Sequence, residues 1–367
     1  MSWYTLLTLL ALASLAGLLY LVTRYHRFSR IRALGQRHRL LAWLLSLALA
    51  ALPVGAVALA VNLFTGVVVF LHLVLIWLLC DLVGALLKRI TGRCPARYWV
   101  GAAALGLTLL WMGLGWCNAH FVRRTAYTVP TQKALSGPVR VVEIADSHLG
   151  IPMGAERFAR QVDRIRAEEP DLVVIVGDFV DDDTSKAEML TACEALGTLN
   201  PPCGVWFVFG NHDKGYYRYR DFTSRELRAA LAENGVTVLE DEIGETDCGL
   251  TLIGRQDRSV GDRASARALT ESLDPSRFLL MLDHQPNDYE AEAAAGVDLV
   301  LSGHTHGGHI WPAGLIGLAL GSNDRVYGRE RRGATDFIVT SGIAGWAIPI
   351  KTGTFSEYVV IDLTPAE

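Results

Sequence analysis

The chain has 367 residues, 51% of them apolar, and a formal net charge of −4. The charge is unevenly divided: residues 1–124 carry twelve Lys/Arg and one acid, Asp81, whereas the remainder carries 22 bases against 37 acids. So acidic a larger part is a poor match for a polyanionic duplex, whose binding rests on Lys and Arg contacts to phosphate, and no nucleic-acid partner is expected.

Four apolar spans come first, about Trp3–Val22, Leu40–Val61, Leu63–Leu87 and Trp99–Ala119. Each is close to the ~20 residues that cross a bilayer as a helix, and they lack the polar face of helices in a soluble core. The first is not expected to be a cleaved signal peptide, because Met1–Thr5 has no basic residue and the positive charge follows the span. Arg24, Arg27, Arg30, Arg32, Arg37 and Arg39 lie between spans one and two. Lys88, Arg89, Arg93 and Arg97 lie between three and four, and the N-terminal tail and the Asn62 turn hold none. Short basic loops stay cytoplasmic, so both loops face inward and the fourth helix leaves on the outer side, Arg123 and Arg124 notwithstanding. A multi-pass protein of an inner or plasma membrane is expected, its larger part in the periplasm or at the cell surface. Asp81 is expected to pair near the interface with Lys88 and Arg89, and His72 to bond a neighbouring helix as a neutral imidazole. The membrane part, residues 1–120, reads as an anchor.

Residues 121–138 read as a polar linker broken by Pro130, Gly137 and Pro138. In the domain that follows, residues 139–367, the apolar runs VRVVEIA, DLVVIV, GVWFVF, RFLLML and VDLVLS read as buried strands. Each ends at a polar cluster: Asp146-Ser147-His148, Gly177-Asp178, Gly210-Asn211-His212-Asp213, Asp283-His284-Gln285-Pro286 and Gly303-His304-Thr305-His306. Helices are expected over 154–169, 185–196, 224–234, 264–273 and 287–295. This alternation is that of an α/β domain, and its clusters fall at strand carboxyl ends, where open α/β sheets build their sites. A single such cluster is an ordinary turn. The whole set in this order points to metal chemistry. None of the six cysteines has zinc-knuckle spacing. A Cys193–Cys203 bridge is open in an oxidising compartment, with free thiols the expected state.

The clusters resemble the calcineurin-like metallophosphoesterase pattern D-x-H, G-D-x-x-D, G-N-H-[DE], H and G-H-x-H, from about Val139 to Leu363. SGHTHGGHI, DHQP and FSEYVVIDL are similar to the membrane-anchored bacterial branch of that family. The resemblance implies two central sheets flanked by helices, and two divalent metal ions. Asp146, His148, Asp178 and His306 would surround one ion, and Asp178, Asn211, His284 and His304 the other. Asp178 would bridge, and His212 would stay off the metals and face the substrate. His309 stands where close relatives place Gln, which makes it a substrate-side candidate. Asp181 completes G-D-x-x-D, whereas Asp182 and Asp183 read as a solvated acidic loop.

The chemistry asks for these residue types on its own account. Two cations roughly 3.5–4 Å apart clamp the attacking and leaving oxygens of an in-line phosphoryl displacement. Asp178 is short enough to hold both against their repulsion. Imidazole, carboxylate and amide donors without thiolate suit Mn, Fe or Zn. A bridging water then acts as hydroxide. His212 can protonate the leaving oxygen or stabilise charge, with Asp213 fixing its tautomer.

Ile310–Leu320 (IWPAGLIGLAL) follows the last cluster, and Arg325, Arg329, Arg331 and Arg332 come next. Its Gly and Pro content argues against a regular helix. It reads as a loop packed on its own domain, or as an apolar lip on the bilayer. In the second case Trp311 sits at the interface, and Arg325 and Arg329 reach a phosphorylated headgroup. The expected function is a membrane-anchored phosphodiesterase or phosphomonoesterase, acting on envelope or lipid-linked phosphoesters, with no protein partner evident. The rivals are a hydrolase of soluble nucleotides or phosphate esters, and a receptor or transport component that only binds. The complete ligand set together with His212 speaks against the last.

Overall fold

A computed structural model describes residues 3–92, 98–135, 137–150, 152–215 and 220–366. The chain divides into two units, Met1–Leu114 and Gly115–Glu367. The first contains α1 (Trp3–Tyr25), α2 (Ser29–Arg37), α3 (Arg39–Ala60), α4 (Leu63–Thr91) and most of α5 (Trp99–His120). The stretches Leu7–Tyr25, Arg39–Ala60, Leu63–Thr91 and Trp99–His120 are each long and apolar enough to cross a membrane. Asn62 starts α4 by accepting the Thr65 N–H at 2.8 Å, which satisfies one of the orphan donors of a helix start.

One expectation changes here. Asp81 pairs with Arg24 at 2.5 Å and accepts from the Tyr20 hydroxyl at 2.7 Å, rather than pairing with Lys88 and Arg89. Lys88 is seven residues further along the same helix, about 10 Å away at 1.5 Å per residue, so the cation on α1 wins. His72 Nδ1 meets the Val68 carbonyl one turn back in its own helix, at 2.8 Å. Arg93, Cys94 and Arg97 of the second basic loop lie outside the described residues.

The second unit contains two six-stranded mixed sheets. One is built from β1 (Arg123–Thr131), β2 (Val139–Ile144), β3 (Leu172–Val176), β4 (Val205–Val208), β5 (Val236–Leu239) and β12 (Glu357–Pro365). Its order is β1-β12-β2-β3-β4-β5. The other is built from β6 (Glu242–Glu245), β7 (Leu250–Gly254), β8 (Phe278–Leu282), β9 (Leu299–Ser302), β10 (Gly328–Arg332) and β11 (Thr335–Val339). Its order is β10-β11-β9-β8-β7-β6. The helices are α6 (Ala155–Arg166), α7 (Lys186–Gly197), α8 (Ser224–Glu233), α9 (Ala266–Thr270), α10 (Tyr289–Ala294) and α11 (Ala313–Ala319).

Strand side chains alternate between two interfaces, as a period of two requires. Val141, Val174 and Val208 pack on Leu252, Leu280 and Leu301 of the opposite sheet. Their neighbours Val142, Val173 and Phe207 pack on Phe158 of α6, Met189 of α7 and Leu227 of α8. Beyond the second sheet, Met281 and Val300 meet Leu269 of α9 and Tyr289 of α10. The layers are thus helix, sheet, sheet, helix. Both faces of the central strands are covered, which is why they read as unbroken apolar runs. Capping boxes at Ser185/Glu188 and Thr223/Glu226 start α7 and α8.

Residues 123–131, expected as linker, form edge strand β1, which pairs in parallel with β12. Only alternate residues from Thr125 onward turn inward, so the strand reads polar, and an edge tolerates Pro130. Ala313–Ala319 is helical despite its glycines. Gly314 lies so near Gly308 that a Cβ on it would come within 2.8 Å of the Gly308 Cα, so close packing, not propensity, explains that glycine. Cys203 bonds to Cys248, with a Cα–Cα distance of 5.9 Å. Cys193 is free and buried in the layer beneath α7, on the opposite face of the sheet from Cys203.

Candidate metal centre

Strands β2, β3 and β4 run parallel to one another, as do β8 and β9. The loops leaving their carboxyl ends carry Asp146 and His148, Asp178, Asn211 and His212, His284, and His304 and His306. The backbone here is unusual. Asp146 (φ 54°), His148 (37°), Asp178 (52°), His304 (67°), His306 (48°) and His309 (34°) all lie in the left-handed region. That region costs a residue with a Cβ about 1–2 kcal/mol. Among the described residues only Glu169, Asp241 and Ala347 otherwise share it without being glycine. Strain concentrated in this way marks a place where surroundings dictate side-chain direction. Glycines make the room. A Cβ on Gly210 would come within 2.2 Å of Asp178 Oδ1, and one on Gly342 within 2.8 Å of Asp146 Oδ2.

Three overlapping groups of ligand-type atoms result: Asp146, His148 and His306; His148, Asp178 and His212; and Asp178, His284 and His304, each within 4.8 Å. Asp178 joins two of them. Its Oδ2 is 3.5 Å from His148 Nε2 and 3.1 Å from His284 Nε2. Asn211 is buried directly after Gly210.

The imidazoles are oriented from behind. His306 Nδ1 donates to the Ala344 carbonyl at 3.2 Å, and His284 Nδ1 to the Val176 carbonyl at 2.8 Å. His148 Nδ1 faces Asp181 Oδ2 at 3.1 Å. A proton on the Nδ1 of His148 and of His306 leaves their Nε2 lone pairs pointing inward, where the two nitrogens stand 3.1 Å apart. Asp146 Oδ2 is buried there with no hydrogen-bond partner. Buried acceptors that converge without donors repel one another, and a cation is the partner that fits them. Burial alone would raise the Asp178 carboxyl, but the facing His284 and His148 hold it well below the usual carboxylate range. Burial would lower His284, yet Asp178 lifts it well above the usual imidazole range. His306, with no carboxylate so close, is pushed well down by burial and by His148. Burial, with His284 nearby, takes His304 down to about 4.

His212 stands beside this cluster. Its N–H donates to Asp178 Oδ1 at 2.8 Å, and its Nδ1 meets Asp181 Oδ1 at 2.9 Å. The ring centroid is 4.8 Å from that of His148 and 5.5 Å from Trp346. Burial opposes a proton on His212, but Asp181 and Asp178 outweigh it and raise the ring's affinity. The carboxylate that orients His212 is therefore Asp181, not Asp213 as expected. Asp213 points into the loops and accepts the backbone N–H groups of Asp178, Phe179, Val180 and Gly210 at 2.7–3.0 Å. It clamps two ligand loops together, and burial pushes it up to about 6. Sequence reasoning placed Asp181 in the motif but gave it no task, and Trp346 carries no motif at all.

The substrate-side candidates fare differently. His309 stacks 5.3 Å from His306, with its Nε2 buried. Trp311 is 42% exposed. Arg325 is bound to Glu330 at 2.8 Å, and Arg329 to Asp336 at 2.8 Å and the Thr128 carbonyl at 2.6 Å. Those two guanidiniums are thus engaged within the protein.

The fold and this donor set define a metal-dependent hydrolase built on paired sheets. Residues 139–308 match the calcineurin-like phosphoesterases. An uncharacterized metallophosphoesterase of Aquifex aeolicus is 32% identical over 255 residues, covering 67% of this chain and 93% of that protein. A transmembrane protein with metallophosphoesterase domain of Danio rerio is 28% identical over 256 residues, covering 65% of this chain and 56% of that protein. The crystal structure of a dimetal phosphatase, also from Danio rerio, covers 55% of this chain and 86% of its own at 13% identity and a TM-score of 0.37. The chain belongs to the calcineurin-like metallophosphoesterases and is a metal-dependent phosphoester hydrolase.

Proposed function

We propose that the chain is a membrane-anchored dinuclear phosphoesterase whose site works outside the cytoplasm on phosphoesters of the cell envelope, lipid-linked ones among them. The observation that carries this is the position of Asp178, which is common to two groups of ligand-type atoms, one with His148 and His212 and the other with His284 and His304, while His148 is shared in turn with Asp146 and His306. One carboxylate so placed suits two cations. Asp146, His148 and His306 would hold one ion and Asn211, His284 and His304 the other, with Asp178 shared. Donors without thiolate favour Mn, Fe or Zn. When bound, such a pair supplies Lewis acidity to the phosphoryl oxygens and acidifies a water for attack.

The chain's own residues do the rest. Asp181 keeps the proton on His212 Nδ1 and so turns Nε2 outward, charged, to protonate the leaving oxygen. The His212 N–H steadies Asp178. Two features support the extracytoplasmic placement. The basic loops flank the spans on one side, and Cys203 and Cys248 are joined by a bond that persists in oxidising compartments. The test is turnover by the purified full chain with Mn²⁺ on a phospholipid, a lipid diphosphate and a nucleotide. Chelator-sensitive hydrolysis favouring the lipids is expected. Preference for the nucleotide would support the soluble-substrate rival, and no hydrolysis of any would leave a binding module.

A further inference from the structure

Between α11 and residues 324–327 runs a groove of about 560 Å³, walled by Gly307, Gly308, Trp311, Leu315, Leu318 and Val326. Its wall begins at Gly307, the residue that follows His306. We propose that this groove takes the hydrocarbon chain of an amphiphilic phosphoester drawn from the bilayer while the phosphate lies at the metals; this rests on the phosphoesterase reading above.

The α11 side of the wall is apolar and exposed, whereas Asp324, Arg325 and Tyr327 line the other side. No residue of α11 is buried, and Leu315, Ile316, Leu318 and Leu320 are 42–63% exposed. Contiguous apolar surface of that kind marks contact with an apolar partner. The groove is also tied to the end of α5. The Trp311 N–H donates to Thr352 Oγ1 at 3.0 Å. Thr352 Cγ2 lies 3.0 Å from where a Cβ on Gly115 would stand, and the Lys351 N–H donates to the Gly115 carbonyl at 2.8 Å. Thr352 and its neighbour Lys351 therefore link the groove to Gly115 of α5, whose Trp99–His120 stretch is long and apolar enough to cross a membrane. A soluble polyanion finds less there. Arg325, Arg329, Arg331 and Arg332 are engaged by Asp324, Glu330 and Asp336.

The test uses the Mn²⁺-loaded full chain in lipid nanodiscs and a series of methyl, hexyl and octyl p-nitrophenyl phosphates. Leaving group and chemistry stay constant, and only chain length varies. A fully buried methylene contributes up to about fourfold. The wild type should therefore gain kcat/KM along the series more steeply than Leu315→Gln/Leu318→Gln, by roughly tenfold or more at octyl, with the methyl ester alike in both. Partition into the bilayer is common to both proteins and cancels. Ile316→Gln/Leu320→Gln, off the groove wall, should follow the wild-type slope. Equal slopes for wild type and groove variant would overturn the proposal, as would a fall in methyl-ester turnover in the groove variant. If the wild type fails on the methyl ester itself, the phosphoesterase reading falls first, and the groove assignment with it.

Discussion

Two imidazoles share the Asp181 carboxylate, one at each oxygen: His148 Nδ1 at 3.1 Å and His212 Nδ1 at 2.9 Å. A metal-side ring and the ring beside it are thereby oriented by one group, and burial fails to raise Asp181 because both rings hold it below the usual carboxylate range. His212→Ala should keep its metals and slow turnover of esters with poor leaving groups by roughly a hundredfold or more. The loss should shrink for nitrophenolate, which needs little protonation. An equal loss for both leaving groups would restrict His212 to charge stabilisation. Asp178→Ala should lose most bound metal by elemental analysis, since Asp178 is common to the group with His148 and the group with His284 and His304; a variant that keeps two equivalents and near-wild-type turnover would refute the bridge. The residue types that gather at the candidate site were legible in the sequence because each sits in a short motif at a strand end. Which carboxylate serves His212 was not. Asp213 is adjacent in sequence, but the turn aims it back at four backbone N–H groups, and adjacency does not encode direction.

At the level of elements, strands buried on both faces read clearly, because their apolar runs end abruptly at glycine and acid. Edge strands do not. β1 turns half its residues to solvent, and its polar pattern resembles a linker until its pairing with β12 is known. Short α11 was hidden for another reason: its glycines signal a break, yet Gly314 serves contact with Gly308. Cysteine pairing was likewise illegible, since it depends on which face of the first sheet each residue occupies. The Cys203–Cys248 bond closes a 45-residue separation between loops that precede β4 and β7. By loop-closure entropy it stabilises by about 4 kcal/mol at 25 °C. Cys203→Ser/Cys248→Ser should therefore lower the unfolding midpoint clearly. Peptide mapping of unreduced protein should find the two linked, with Cys193 alkylated only after unfolding. Alkylation of all three thiols in the unreduced, unfolded chain would remove the bond from the account.

At the level of the whole molecule, a basic part with four helices long and apolar enough to cross a membrane precedes an acidic metallophosphoesterase part. Lys and Arg in two short loops set the expected orientation, and a disulfide suits the side to which the catalytic part is assigned. Bound metals, hydrolysis and a site facing out are three separable properties. One measurement on spheroplasts producing the full chain reaches all three. Bis(p-nitrophenyl) phosphate added outside should be hydrolysed with Mn²⁺, the activity should vanish with a membrane-impermeant chelator, and Asp178→Ala spheroplasts should lack it. Activity that appears only after lysis, or that survives chelation or the Asp178→Ala change, would contradict the proposed function.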